Sequence, residues 1–158
     1  ASQIPIIDDI ISAEIALQNW EEVNNFYAYQ EHLYRRIYDM DDPRLEVGLR
    51  KVSAWHVTAL NVNLDGKRIE HLRKANKLYK LRKEVAERTL SLDDPKISML
   101  ARNITIASAI LRIQSQENVR LGSIDADCCR RDRSVSVCGY GEARIRALKW
   151  KLESCSML

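Results

Sequence analysis

The sequence predicts an all-α chain: a short α-solenoid of antiparallel helix pairs, followed by an irregular C-terminal tail that carries the cysteines. Three observations carry that expectation. Apolar residues recur in steps of three and four through most of the chain, while strand-like alternation is nearly absent. Two Asp-Asp-Pro tripeptides, Asp41-Asp42-Pro43 and Asp93-Asp94-Pro95, lie 52 residues apart with matching apolar positions on both sides. Only 5 Gly and 3 Pro occur among 158 residues, too few for a turn-rich all-β chain.

The first stripe reads Ile10, Ala13, Leu17, Trp20, Val23, Phe26/Tyr27, Leu33/Tyr34 and Ile37, which is one long helix or two with a joint near Asn19. It stops at the first Asp-Asp-Pro, where Asp42 can cap the next helix and Pro43 forfeits no useful N–H. The second stripe, Leu45, Leu49, Val52, Trp55 and Ala59, ends in Asn61–Gly66, whose Asp65-Gly66 pair signals a turn. Ile69, Leu72, Ala75, Leu78/Tyr79, Val85/Ala86 and Leu90 form the third stripe, which closes at the second Asp-Asp-Pro. A fourth runs Ile97, Leu100/Ala101, Ile104, Ala107/Ser108 and Leu111. Trp55 and Trp20 lie on these stripes, so both are expected in the core, Trp55 against Tyr79.

Offsetting the chain by 52 residues pairs Tyr27 with Tyr79, Phe26 with Leu78, Leu33 with Val85, Leu45 with Ile97 and Val52 with Ile104. The unit is helix, Asp-Asp-Pro, helix, and it occurs twice. One helix pair cannot bury its apolar face alone, so neighbouring units must complete the core.

Ala75, Leu78-Tyr79, Val85, Leu90 and Asp93-Asp94-Pro95, with Gly66 nine residues before Ala75, resemble the tetratricopeptide repeat in the longer form found in kinesin light chains. Val23, Phe26-Tyr27, Leu33 and Asp41-Asp42-Pro43 repeat the pattern with Val in place of Ala. The resemblance covers about residues 10–112, with Asp42 and Asp94 where the family has His. Pro43 to Ala75 is about ten residues longer than the family spacing, as lengthened helices would make it. The resemblance implies a right-handed stack with a concave face that binds peptides or proteins and carries out no catalysis. Lined by the first helices, roughly 44–62 and 96–113, that face would present Arg50, Lys51, His56, Arg102 and Asn103. Solvated helix positions with no partner are the plainer account of these five.

Charge is unevenly spread. Residues 1–66 hold 5 Lys/Arg against 11 Asp/Glu, a net of −6, and residues 67–111 hold 11 against 5, a net of +6. Residues 67–83 concentrate eight Lys/Arg around the single acid Glu70, with Arg73, Lys77, Lys80 and Glu84 along one helix face and Lys67 and Lys74 in a second row. Such a face suits an acidic protein partner, the N-terminal third of another copy included, an anionic membrane, or no partner at all. Nucleic acid is disfavoured, since no recognised fold or stacking aromatic accompanies the charge. Self-association is also expected, because two helix pairs are few for a solenoid.

No cofactor or metal site is expected: the three His show no ligand spacing, and there is no phosphate loop or nucleophile elbow. Glu31-His32 and Glu70-His71 point to different helix faces, and Asp8-Asp9, Asp41-Asp42 and Asp93-Asp94 are placed at helix starts. An enzyme is not expected. A domain boundary is placed between residues 112 and 113. Beyond it, Ser134–Val137 reads as a short extended piece and Glu142–Glu153 as an amphipathic helix. Cys128, Cys129, Cys138 and Cys155 fit no zinc pattern, so reduced thiols and disulfides remain the two readings. The Ala1 start and the even cysteine count suit a bacterial periplasmic or secreted protein, and an arbitrary start of the sequence accounts for Ala1 equally well. No apolar run is long enough for a transmembrane helix.

Overall fold

A computed structural model describes the backbone of residues 3–127 and the side chains of residues 3–116. The helices are α1 (Gln3–Ala16), α2 (Trp20–Ile37), α3 (Pro43–Val62), α4 (Arg68–Thr89) and α5 (Pro95–Asp127), and no strand occurs among the described residues. The chain divides into two compact units between Ile104 and Thr105. The first holds α1–α4 and the opening turns of α5, with each of α1–α4 packed against its neighbours in sequence. In the second, the described residues continue α5, burying Ile106, Ala107 and Ile110. α5 thus runs past residue 112 to Asp127. The cysteines, Ser134–Val137 and Glu142–Glu153 lie outside the described residues.

Helix boundaries follow local chemistry. The expected joint near Asn19 is real: Gln18 takes a left-handed backbone (φ 56°), and the Gln18 and Asn19 N–H groups turn back onto Ile15 and Glu14 carbonyls. α2 opens with Glu21 and Glu22 and closes with Arg35 and Arg36, charges that favour the positive and negative ends of its dipole. The two Asp-Asp-Pro segments work alike. Asp42 Oδ1 accepts the Arg44 N–H at 2.8 Å, Asp94 Oδ1 accepts the Lys96 N–H at 2.8 Å, and each proline occupies the first helical position. Between α3 and α4 the chain reverses through Asn63 (φ 54°) and Gly66 (φ 75°), the latter a conformation that costs glycine little.

The first unit's core joins Val23, Tyr27, Leu33 and Tyr34 of α2 to Leu45, Leu49, Val52 and Trp55 of α3, Leu78 and Val85 of α4, and Ile7 and Ile11 of α1. In α1 the face differs from the expected one. Ile7 and Ile11 point inward, Ile10 is half-buried, Ala13 is exposed, and Leu17, just past the helix end, is 74% exposed. The three-and-four spacing was read across the break at Gln18, which resets the helical phase, and α1 carries apolar residues on both faces. Asp8-Asp9 is corrected too: it lies in the second turn of α1, where Asp8 accepts from Gln30 of α2 and pairs with Lys51 of α3.

α3 and α4 form the most extensive pairing. Near its open end, Arg82 donates from Nε and Nη2 to Glu46 Oε1 (3.1 and 2.8 Å) and from Nη1 to Ser53 Oγ (2.8 Å), all three side chains being buried. Removing one partner of a buried ion pair leaves a desolvated charge. Arg82→Ala should therefore cost about 3–5 kcal/mol in urea unfolding, whereas Arg82→Met with Glu46→Leu should recover most of that loss. Close approach of α2 and α3 depends on Gly48, where a Cβ would lie 2.6 Å from the Tyr34 ring. Gly48→Ala should lower stability by about 1–3 kcal/mol, and Gly48→Ala with Tyr34→Leu by less, both read from denaturant midpoints.

Candidate functional site

A continuous polar chain crosses the end of the first unit where α2 begins and α3 turns into α4. It starts in the core at Trp55, which stacks on Tyr27 with centroids 5.2 Å apart and on Trp20 at 6.3 Å, and meets His71 edge-on. Tyr79, which sequence reasoning set against Trp55, is buried as the indole is. Trp55 Nε1–H donates to Asn24 Oδ1 at 2.9 Å, and Asn24 Nδ2–H donates to Asp65 Oδ2 at 3.0 Å. His71 Nε2 lies 3.0 Å from the same oxygen, and His71 Nδ1 lies 2.9 Å from His56 Nδ1. The second Asp65 oxygen accepts the Lys67 backbone N–H at 2.9 Å. His56 and His71 are 3% and 2% exposed.

Charge assigns the protons. Burial opposes ionisation of Asp65, but the Lys67 N–H, His71 and Asn24 together outweigh it and hold its carboxyl below the usual range. An ionised carboxylate only accepts, so His71 Nε2 carries a proton and donates. Burial drives the His56 imidazole down to about 3, with His71 and Lys74 adding to the shift and Glu70 and Asp65 opposing it. His56 is therefore neutral at pH 7. With its proton on Nε2, a neutral His71 ring accepts at Nδ1 from His56 Nδ1–H.

Beside this chain lies a cleft of about 110 Å³, lined by Glu21, Asn24 and Asn25 of α2, Asp65 and Lys67 of the turn, and Glu70, His71 and Lys74 of α4. Both His71 ring nitrogens are already engaged, and Asp65 accepts three hydrogen bonds, two at Oδ2 and one at Oδ1. The arrangement ties helices together. No group of three or more His, Cys, Asp or Glu able to hold a metal occurs among the described residues, and no described helix is long and apolar enough to cross a membrane.

The expected concave-face residues separate into two kinds. Arg50, Lys51 and Arg102 are exposed, Lys51 being paired with Asp8. His56 and Asn103, expected to be exposed, are buried; Asn103 is 3% exposed and its Oδ1 meets no donor among the described residues. Lys67, just before α4, and Arg73, Lys77 and Lys80 on it are exposed, while Lys74 is half-buried and paired with Glu70 at 2.9 Å.

The His56–His71 contact was missed because fifteen residues match no ligand spacing. Hairpin symmetry was the available signal. His56 stands seven residues before Asn63 and His71 seven after Leu64, so an antiparallel pair turning there sets them side by side. No family model, curated protein or solved structure matches the chain.

The His56 shift fixes a pH dependence. Unfolded, His56 takes a proton near pH 6.5; folded, it resists until about pH 3. Its contribution to stability is complete above pH 6.5 and declines as pH falls toward 3, by up to about 1.4 kcal/mol per unit. Urea midpoints should thus drop between pH 7 and pH 5, and His56→Leu should flatten that slope even though it lowers the plateau.

Proposed function

We propose that the chain is a non-catalytic protein-interaction scaffold of tetratricopeptide-like type. One contrast supports this most: the interior His56–His71–Asp65 and Arg82–Glu46 groups are directed at one another, while outward cations on the first helices of the two units of sequence, Arg50 and Arg102, have no ion-pair partner among the described residues. Buried groups engaged in this way fix a helix arrangement. Unpaired exposed cations are suited to recognition of acidic or extended peptides. The equivalent placement of the Asp-Asp-Pro caps before α3 and α5 supports the likeness to paired helical repeats.

A self-assembling structural subunit is the second reading, favoured by the outer face of α1, where Ile6 is 60% and Ile15 37% exposed. Sedimentation at several concentrations and ionic strengths, with and without reductant, separates the two. A scaffold should remain monomeric and bind peptides from an array, with binding weakened by Arg50→Ala and Arg102→Ala. Large assemblies that dissociate in salt or reductant would replace it with the subunit reading.

A further inference from the structure

Helix α4 contains three acids, and each has an intrahelical partner: Glu70 with Lys74, Glu84 with Arg88 and Glu87 with Lys83. What remains on its outer face is Arg73, Lys77 and Lys80, all exposed, with no ion pair among the described residues. Their i, i+4, i+7 spacing places them on one line about 10 Å long. Along this line Glu70 precedes Arg73 by three residues and Glu84 follows Lys80 by four, each paired with a cation of its own helix, so the unpaired charge on the line is confined to these three residues, with Lys67 and Lys74 in the row beside it.

From this row we infer an interaction surface for a short acidic helix of another protein, one carrying three carboxylates at i, i+4 and i+7 with basic residues flanking them. A long polyanion is a poorer fit, because along the line itself the next side chains, Glu70 and Glu84, are already paired within the helix and supply no free cation. The outer face of α4 offers no large exposed apolar side chain for a membrane surface, and Tyr79, its one aromatic residue, is buried rather than open to base stacking. Exposed ion pairs add little affinity singly, so the row acts on orientation and encounter rate more than on tightness. The inference stands on α4 alone and does not depend on whether Arg50 or Arg102 binds anything.

The test is a backbone-amide NMR titration of the full chain with a synthetic alanine-based helical peptide carrying Glu at i, i+4 and i+7 between flanking Lys. A peptide of the same composition with its Glu residues scattered over different faces is the control. Shift changes should cluster at residues 70–84, weaken between about 50 and 300 mM salt, and vanish in Arg73→Glu/Lys77→Glu/Lys80→Glu. Lys77→Gln, a milder surface change, should weaken binding about two- to fivefold. Equal binding of the scattered peptide, or no shift at millimolar peptide, would overturn the inference. So would tighter binding of a duplex oligonucleotide or phosphatidylserine vesicles through the same residues. Each of these results leaves peptide binding along α3 and α5 unaffected, so failure here is distinct from failure of the scaffold reading.

Discussion

Burying the Trp55 indole obliges the fold to supply an acceptor for its N–H, and much of the first unit is organised around that obligation. The acceptor is Asn24, which must be held with its carbonyl toward Trp55. Asp65 does this by taking the Asn24 amide, and Asp65 is held in turn by the Lys67 N–H and by His71. A buried donor left without an acceptor costs about 1–3 kcal/mol, so each link enforces the next. The result fixes the start of α2, the α3–α4 turn and the first turns of α4 relative to one another. Ring stacking of Trp55 on Tyr27 and Trp20 supplies the apolar half of the same junction.

The second buried cluster follows the same rule at the other end of the α3–α4 pair. Glu46 and Arg82 are each 18 residues from Leu64, just as His56 and His71 flank the turn symmetrically. Two polar contacts of fixed register, one near the turn and one far from it, leave little freedom for α3 to slide along α4. Polar burial of this kind contributes less to net stability than to uniqueness of packing. Apolar contacts alone would tolerate several registers, since Leu, Val and Ala fill space without direction.

Much of this architecture could be read from the residues. The Asp-Asp-Pro caps announced the starts of α3 and α5 because capping is a local interaction between Asp42 and Arg44 or Asp94 and Lys96. Asp65-Gly66 marked the reversal for an equally local reason. The phase of α1 was not legible, because one left-handed residue, Gln18, breaks a periodicity that looks continuous in sequence. His56 and Asn103 were placed outward because polar residues usually are; their burial depends on partners or neighbours on other helices. The His56–His71–Asp65–Asn24–Trp55 series spans residues 24 to 71, and only the folded hairpin brings those positions together.

The two apolar faces of α1 have a consequence for the energy landscape. Ile7 and Ile11 face the core, but Ile6 and Ile10 stand one position earlier, about 100° around the helix. Presenting the second set to the core in place of the first would take a roll of about that angle. Asp8 makes the two orientations unequal. Only in the observed one does its carboxylate meet both Gln30 and Lys51, on two different helices. A single partly exposed ion pair, of small value as a source of stability, thereby ties one rotational setting of the N-terminal helix to two neighbours at once.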